Sequence, residues 1–328
     1  MATIYDVAKK AEVSTATVSA VLNGTSFVSP ERTERVQAAV RELNYTINAV
    51  ARGLQTRKTN LVGMLVPDIA EPVYSVVVKG VEDGLKQAGC SLLLGSTHNN
   101  LDEQSRYLRL LRSKQVDGML MLLAFGDEKE VSGLVAAGLP LVFIARPPAG
   151  FEGDMVIVDN VEAARMAVRH LLQERGHKRV GLIVGPRSLR VSQDRVEGWR
   201  LAHDDAGLEA DEALIGDGDY TAPSGEAEMR RFLALEHPPS AVFATGFLMM
   251  TGCLSLARER GIAVPDQLEL MTWSDSPLLD VFDPPVSTIE QPSYEIGVRA
   301  AELLLRRIRD GRAEPETIVL PAELKIRG

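Results

Sequence analysis

Residues 6–24 of the chain read DVAKKAEVSTATVSAVLNG. The first half of this stretch keeps the spacing of one apolar helical face, and Thr3 just before it is a candidate N-cap. The pattern breaks at Glu12, after which Ser14 is the type of residue that caps a second helix. Gly24 is placed to end that helix. Two short helices joined by a tight turn are therefore predicted.

A third helix is expected to follow, opened by Ser29 and Pro30 in the order of a cap and a first-turn proline. Two short helices with a three- or four-residue turn and a supporting third helix match helix-turn-helix geometry. The second helix carries no charge, so its short hydroxyl side chains can approach phosphates and base edges closely. Periodicity alone also fits a generic three-helix bundle, and this alternative stays open at this point.

Charge is distributed unevenly along the 328 residues. Residues 1–60 hold eight basic and five acidic side chains, which is a net charge of +3. Since the whole chain carries −9, the remaining 268 residues carry −12. A small basic segment beside a large acidic one is typical of a domain that meets a polyanion, joined to one that does not. By itself an excess of three charges also fits a solvated surface.

The composition, with 45% hydrophobic and 25% charged residues, is that of a soluble protein with two or three folded units. The apolar runs are shorter than the roughly 18 residues of a membrane helix, and the N-terminus lacks the apolar region of a secretory signal. Cys90 and Cys253 are too few for a disulfide framework or a metal cluster. We therefore expect a cytoplasmic protein with no membrane, metal or cofactor requirement.

From Leu61 onward, short apolar runs alternate with longer amphipathic stretches. Nine strands are predicted, at residues 61–66, 91–94, 118–122, 141–144, 156–158, 180–184, 241–244, 268–273 and 287–289. This alternation predicts an α/β class with parallel sheets covered by helices on both faces. Two hinged lobes are favoured over one very large sheet. Lobe 1 is expected at about 61–158 and 288–320, and lobe 2 at about 159–287 and 321–328.

Catalytic motifs are absent from the sequence. Gly216-Asp217-Gly218 lacks the third glycine of a dinucleotide fingerprint, and no Walker loop, HExxH, GxSxG or CxxC motif occurs. The five histidines fall in different segments without metal-ligand spacing. No catalytic residue is therefore predicted. An enzyme or sensor that binds a ligand in a cleft, without a regulatory DNA role, is the alternative class.

The opening stretch closely resembles the start of lactose/purine repressor (LacI/GalR) family regulators. The similarity continues in register through Arg41-Glu42-Leu43-Asn44-Tyr45, Asn48 to Leu54, Val66-Pro67-Asp68-Ile69, Val158-Asp159-Asn160, Gly176-His177-Lys178-Arg179, Gly198-Trp199 and Gln291-Pro292. This resemblance implies a helix-turn-helix head at residues 1–46 and a hinge helix with linker at 47–60. It also implies a periplasmic-binding-protein-like body at 61–328, which binds an effector and dimerises.

The function that the resemblance implies is that of a repressor bound as a homodimer to double-stranded, pseudo-palindromic operator DNA. A small molecule between the lobes would change their closure, so that the hinge segments could no longer pair on DNA. The chain stops at Gly328 without a trailing heptad segment, which favours a dimer over a tetramer.

The resemblance also implies DNA contacts from the second helix. Ala16 and Ala20 offer only methyl groups, suited to the thymine methyl or to close packing. Thr15 is then the best candidate for a polar base contact. The other candidate DNA-binding residues of the head are Thr3, Ser14, Thr17, Ser19 and Asn23, of which the last three suit phosphates. One departure from the family is Glu12, at a turn position that is often glycine.

The hinge provides three further candidates. Asn48 can cap a helix that runs through Leu54, although about seven residues are too few for a stable helix alone. In the family this segment becomes helical on DNA, pairs with its twin and wedges a leucine into the minor groove. Leu54 occupies that position, and Arg52 lies nearby for a phosphate or groove contact. The alternative is that Leu54 packs on the body.

The family's effector contacts, carried over by position, predict an unusual cleft. Arg195 matches an arginine that clamps ligand oxygens, and Tyr74 matches an aromatic that stacks on the ligand. Four positions where related sequences have polar partners for sugars are changed here, which leaves room and apolar surface: Ala145, Gly246, Phe247 and Ser274. An unpaired buried polar group costs about 1–3 kcal/mol, so a sugar would be poorly bound. We therefore expect a flat ligand with an oxygen-rich or anionic end, and not a simple hexose. The candidate effector-binding residues are Asp68, Tyr74, Arg146, Arg195, Tyr220, Phe247, Trp273 and Ser274. The alternative is a cleft that binds nothing, in a body that only dimerises.

Overall fold

The computed structural model describes residues 2–24, 26–45, 59–124, 133–134, 137–148, 151–311 and 314–327. The chain divides into two compact units, residues 1–59 and residues 60–328. The hinge candidates Asn48, Arg52 and Leu54 lie outside the described residues.

The N-terminal unit contains three helices: α1 Ile4–Ala11, α2 Thr15–Asn23 and α3 Pro30–Glu42. The predicted side-chain caps at Thr3 and Ser14 are confirmed, whereas Ser29 precedes α3 without a side-chain capping bond. The Thr3 hydroxyl accepts from the Asp6 backbone N–H at 3.3 Å, and the Asp6 carboxylate accepts from the Thr3 N–H at 2.8 Å. Ser14 Oγ accepts from the Thr17 N–H at 3.1 Å and so begins α2. Gly24 ends α2 in the left-handed region, with φ 63°.

A short turn between α1 and α2 brings the two helices together. Glu12 takes the left-handed conformation there, with φ 52° and ψ 45°, where a glycine would carry no strain. The helices bury a small apolar core that holds the unit together: Val7, Ala8, Ala11, Val18, Val36 and Ala39. This arrangement is the helix-turn-helix geometry that the sequence predicts.

The described part of residues 60–328 contains two six-stranded sheets. The strands are β1 Leu61–Val66, β2 Ser91–Ser96, β3 Gly118–Met121, β4 Leu141–Ile144, β5 Met155–Val158, β6 Val180–Val184, β7 Ile215–Asp217, β8 Ala241–Ala244, β9 Glu269–Trp273, β10 Ser287–Glu290, β11 Thr317–Leu320 and β12 Glu323–Lys325. The first sheet has the order β11-β5-β4-β3-β1-β2 and is parallel throughout. The second has the order β12-β10-β9-β8-β6-β7, with only β12 antiparallel.

Helices follow most of these strands. They are α4 Pro72–Gln87, α5 Leu101–Ser113, α6 Asn160–Arg169, α7 Arg190–Asp205, α8 Ala222–Leu233, α9 Phe247–Glu259 and α10 Ser293–Asp310. A π-helical turn, His170–Glu174, extends α6, and 3-10 turns cover Glu212–Leu214 and Pro277–Val281. Asp159 and Thr221 cap α6 and α8 through their side-chain oxygens. Among the described helices, none is both long and apolar enough to cross a membrane.

The strands β1, β3, β4, β6, β8 and β9 are almost entirely buried, because helices cover both faces of each sheet. Three strands were missed by the sequence prediction, namely β7, β11 and β12. Each has only three or four residues, lies at a sheet edge and is partly exposed, so it offers at most three apolar residues in a row.

The chain passes between the two sheets after β5, after β10 and after β11. One predicted lobe boundary is therefore wrong. Residues 288–290 were assigned to lobe 1, but Thr288 pairs with Thr272 and Ile289 with Trp273 in the second sheet. The crossing follows Glu290, since Ser287, Thr288 and Ile289 are buried and paired with β9.

Candidate functional site

Helix α2 presents most of the predicted DNA-binding side chains of the head. Ala16 is exposed, and Thr15, Thr17 and Ser19 are half-buried. Ala20 is only 9% exposed, so its methyl group is largely withdrawn from the surface. Of the two roles predicted for this methyl group, burial fits close packing and does not favour a base contact. The side chain of Asn23 lies outside what the structure describes.

Some predicted DNA-binding hydroxyls also hold the starts of the helices. Thr3 Oγ1 donates to Asp6 Oδ2 at 2.8 Å, and the bond from the Thr3 backbone N–H keeps the pKa of Asp6 below its ordinary value. Ser14 Oγ and Thr17 Oγ1 lie 2.9 Å apart. Thr3 and Ser14 are both exposed. Only one of the Ser14 and Thr17 hydroxyl protons is used in their shared bond, so the other can be donated to a phosphate, whereas the Thr3 hydroxyl proton is already donated to Asp6.

The second candidate site is the cleft between the lobes of the body. Its cavity has a volume of about 60 Å³. Its lining residues come from both lobes and from the crossing segments: Asp68, Glu71, Val73, Tyr74, Asn99, Ala145, Arg146, Val158, Asn160, Val191, Arg195, Tyr220, Thr245, Gly246, Leu248, Trp273, Ser274 and Gln291. Seven of the eight predicted effector residues lie in this lining, and Phe247 does not.

Phe247 is the first residue of α9, and its side chain packs into the core of lobe 2. Its ring lies 6.0 Å from that of Phe282, between centroids. The predicted role of the Phe247 side chain is therefore corrected, because only its backbone amide points across the cleft. The neighbouring Gly246 lines the cavity, as expected for a small residue.

Arg195 lies on α7 and is buried in the cleft, with 7% exposure. Its Nε donates to Asn160 Oδ1 at 3.0 Å, and its Nη1 donates to the Thr245 carbonyl at 3.0 Å. The guanidinium lies 3.7 Å from the centroid of the Trp273 ring. These contacts fix the plane of the guanidinium against an aromatic wall. Burial lowers the pKa of Arg195 from its ordinary value.

Arg146 follows β4 and enters the same cavity from lobe 1. Its guanidinium lies 4.4 Å from the Tyr220 ring centroid and 5.8 Å from that of Tyr74. Its Nη1 donates to Asn99 Oδ1 at 3.3 Å. Burial raises the pKa of Tyr74 to about 12, so this phenol stays protonated. Aromatic faces and cationic planes thus alternate around the cavity.

Two buried arginines are the main electrostatic feature of the cleft. Among the residues that the structure describes, neither guanidinium forms an ion pair with a carboxylate, and both donate hydrogen bonds to amide or carbonyl oxygens. A buried cation with only neutral acceptors is costly, because the low-dielectric interior disfavours unpaired charge. The arrangement therefore favours an anionic or strongly accepting group in the cavity.

Four lining residues have the left-handed backbone that glycine adopts most readily. The φ angles are 53° for Asn99, 56° for Ala145, 65° for Tyr220 and 72° for Ser274. Such conformations cost energy and are found most often at sites where function constrains the backbone. They direct Arg146 and the Tyr220 ring into the cavity.

Glu71 is a lining residue that the sequence prediction missed. Its side chain is buried, with 7% exposure, and Oε1 accepts from the Phe247 N–H of the opposite lobe at 3.1 Å. Burial raises the pKa of Glu71 to about 7, although hydrogen bonds from the backbone N–H groups of Phe247 and Leu248 act in the opposite direction. Its position in the loop after β1 could have indicated that it lines the cleft, since ligands bind at the carboxyl ends of parallel strands.

Within the described ranges, no group of three histidine, cysteine or acidic side chains could hold a metal ion. The lining of the cleft combines two guanidiniums with amides, aromatic rings and the carboxyl groups of Asp68 and Glu71, and the arginine side of the cavity is suited to the anionic end of an organic ligand.

Comparison with known proteins places both units. Residues 3–48 match the bacterial regulatory proteins of the lacI family, and residues 168–328 match a periplasmic binding protein-like domain. The HTH-type transcriptional repressor PurR of Aliivibrio salmonicida is 34% identical over 328 residues, covering 100% of this chain and 98% of that protein. PurR of Escherichia coli O139:H28 is 37% identical over 320 residues, covering 97% and 94%.

Solved structures agree with this assignment. The regulator CelR in complex with cellobiose matches with a TM-score of 0.77 and 34% identity, covering 100% of this chain and 99% of that one. The Lac repressor dimer bound to operator and the anti-inducer ONPF matches with a TM-score of 0.87 and 26% identity, covering 99% and 98%.

PurR and the Lac repressor are transcriptional repressors and CelR is a transcriptional regulator, so the alternative of a cleft-binding enzyme is not supported. Regulators of this kind bind operator DNA and small-molecule effectors and act as dimers. With its helix-turn-helix head, its two-lobed body and relatives that match over its whole length, this chain belongs to the lacI family of bacterial regulatory proteins as a ligand-responsive transcriptional repressor.

Proposed function

We propose that the repressor responds to a flat effector that carries an anionic or oxygen-rich end, bound in the cleft between the lobes. The observation that supports this most is the pair of buried guanidiniums, Arg146 and Arg195, with neutral hydrogen-bond acceptors. An arginine fork suits two oxygens in one plane. The anionic end would compensate the charge that the interior leaves unpaired.

The flat part of the effector would be held by the aromatic walls. Tyr74, Tyr220 and Trp273 surround the cavity, and stacked or edge-on aromatic contacts add about 0.5–1.5 kcal/mol beyond burial. A hexose would need several carboxylate and amide partners for its hydroxyls. The substituted positions Ala145 and Gly246 supply no such side-chain groups.

Binding would require the lobes to separate and close again. One water takes roughly 10–15 Å³ of cavity space, so a cavity of about 60 Å³ has room for only a few waters. An effector of the size of a purine or an aromatic acid does not fit without opening. Lobe motion of this hinge type is the natural route from effector to operator affinity.

The competing candidate is a disaccharide, because CelR, at 34% identity, was solved with cellobiose. The experiment is isothermal titration of hexoses, cellobiose, purines and small aromatic acids into the wild type and Arg195→Ala. We expect an aromatic acid or a purine to bind the wild type and to lose at least tenfold in affinity with Arg195→Ala. Arg190→Ala is the matched control, since this exposed arginine on the same helix should leave binding unchanged.

Tight binding of a hexose or cellobiose that survives loss of Arg195 would contradict the proposed effector class. Binding of no compound in the panel would favour a body that only dimerises.

For operator recognition, we propose that α2 contacts DNA through Ser14, Thr15, Ala16, Thr17 and Ser19, with Thr3 on the flanking backbone. Exposure of the first turns of α2 and the family match of residues 3–48 support this assignment. Few long polar side chains are present, so deformation of the operator by Leu54 and Arg52 at the hinge would contribute to specificity. A repressor that acts on operator DNA is proposed to work in the cytoplasm, with a head at 1–46, a hinge at 47–60 and a body from 61 onward.

A further inference from the structure

Glu71 connects the two lobes across the cleft. It immediately precedes α4 of lobe 1, and its Oε1 accepts from the backbone N–H of Phe247, which begins α9 of lobe 2, at 3.1 Å. The start of a helix concentrates unpaired N–H groups and a positive partial charge. A carboxylate is therefore well placed there, and this contact forms only when the lobes are close.

The second carboxyl oxygen of Glu71 has a different environment. Oε2 is fully buried and has no hydrogen-bond partner among the residues that the structure describes, although Glu71 lines the effector cavity. Leaving a buried acceptor unpaired is unfavourable, and charged acceptors cost more than neutral ones. The position of this oxygen on the cavity wall means that a molecule inside the cavity can supply the missing donor.

We propose that Glu71 is a specificity-determining residue, whose Oε2 accepts a hydrogen bond from an N–H or O–H group of the effector while Oε1 holds the opposite lobe. This inference rests on the proposed function of the cleft. It adds a second requirement to the effector, which must carry a donor as well as an anionic or accepting end. The donor would bind Glu71, and the accepting end would bind Arg195 and Arg146.

The protonation state of Glu71 determines whether Oε2 accepts or donates the hydrogen bond to the effector. Its charged and titratable neighbours are Arg146, which favours the carboxylate, Asp68, which disfavours it, and Tyr74, which stays neutral. With a pKa of about 7, Glu71 takes up a proton as the pH falls below neutrality. Since Oε1 already accepts from Phe247, the proton resides on Oε2 and turns this acceptor into a donor.

The experiment uses two matched pairs of flat acids as probes. One pair is para-hydroxybenzoate and para-methoxybenzoate, and the other is para-hydroxyphenylacetate and para-methoxyphenylacetate. In each pair the hydroxyl group can donate a hydrogen bond, whereas the methoxy group cannot and is larger by one CH2 unit, so the comparison with Glu71→Gln separates hydrogen bonding from size. Titration into the full-length wild type is compared with Glu71→Gln and with the control Glu82→Gln, an exposed carboxylate on the same helix.

We expect the hydroxyl member to bind the wild type and Glu82→Gln at least about tenfold more tightly than the methoxy member, since bonds to charged acceptors are strong. Glutamine keeps an acceptor for Phe247 but turns its amide N–H₂ to the cavity. Glu71→Gln should therefore abolish or invert the preference. Between about pH 8 and pH 5.5 the wild-type preference should fall by about tenfold, and that of Glu71→Gln should not change.

Equal binding of both members to the wild type, or a preference that Glu71→Gln retains, overturns the role of Glu71 and leaves the proposed effector site standing. If none of the four acids binds the wild type, the inference is overturned. The wider panel of hexoses, cellobiose and purines then decides alone whether the proposed effector class survives.

Discussion

Individual residues carry strain at both candidate sites of this repressor. Glu12 in the head and Ala145, Tyr220 and Ser274 in the cleft are all non-glycine residues with φ between 52° and 72°. For residues with a Cβ, the left-handed region costs roughly 1–2 kcal/mol. The cost at Glu12 concerns only the turn, whereas the three cleft residues position side chains that line the cavity. Relief of strain should therefore be harmless in the turn and harmful in the cleft.

Glu12→Gly should stabilise the head by up to about 1 kcal/mol, because glycine adopts the left-handed region without a Cβ clash. Hydrogen exchange of the α1 and α2 amides in the full-length chain would measure this, with slower exchange expected. The control is Glu12→Ala, which loses the same exposed ion pair with Arg35 but keeps the Cβ. Equal protection in the two variants would contradict a role for backbone strain.

Glu71 should make the stability of the body depend on pH. Its pKa is raised from 4.5 to about 7 in the folded state, so the unfolded chain loses this proton first as the pH rises. The contribution of Glu71 to the free energy of unfolding is fully present below about pH 4.5. It is lost as the pH rises through 7, which lowers the free energy of unfolding by up to about 3 kcal/mol. The melting temperature of Glu71→Gln minus that of the wild type should therefore be larger at about pH 8 than at pH 5.

Thermal unfolding of both proteins at the two pH values checks this expectation. Glu82→Gln should follow the wild type at each pH, since this exposed carboxylate lies on the same helix. A constant difference between wild type and Glu71→Gln would show that Glu71 does not titrate in this range.

At the scale of the elements, lobe 1 depends on the close approach of α4 and α10. A Cβ on Gly80 would overlap the backbone carbonyl of Tyr294, and one on Gly297 would overlap that of Val77. The two helices can therefore touch backbone to backbone only because glycine stands on both sides. Helix α10 packs against β3, β4 and β5 of the first sheet, and α4 packs against β2.

Gly80→Ala should destabilise the body by about 1–3 kcal/mol, since the added methyl group forces two well-packed helices apart. Helix propensity alone would predict the opposite sign, because alanine is the better helix former. The melting temperature of the full-length protein distinguishes the two. Glu82→Ala, an exposed substitution on the same helix, serves as the control and should leave the melting temperature nearly unchanged.

At the scale of the whole molecule, the +3 charge of residues 1–60 contrasts with the −12 charge of the remainder. A strongly negative body repels DNA, so operator affinity should depend on the head. The basic groups of the head also predict that salt weakens operator binding, because counterions are released from DNA when basic groups bind phosphates.

Operator affinity should fall steeply with salt, with a log–log slope of about −0.9 per phosphate contact. Fluorescence anisotropy with labelled operator between low and physiological salt would measure the slope. A chain shortened to residues 61–328 should not bind operator at any of these salt concentrations. Binding by the shortened chain, or a full-length affinity that ignores salt, would contradict a role for the head.

The sequence alone determined the class of the fold and much of the local structure. The capping serine and threonine of the head, the turn at Glu12 and the buried strands were predictable, because caps and apolar runs are encoded by neighbouring residues. The same holds for Arg195 and Tyr74, whose positions in the chain match those of a known family. Short edge strands such as Thr317–Leu320 were missed, because their pairing partners lie far away in the sequence.

Only the tertiary structure decided which groups face each other across the cleft. Phe247 reads as an apolar wall of the cavity, but the direction in which α9 begins turns its ring into the core. Glu71 has no distinguishing pattern, and its importance comes from Phe247, 176 residues away, through a single backbone bond. Burial and charge in the cleft are properties of two lobes brought together, so no local stretch of sequence encodes them.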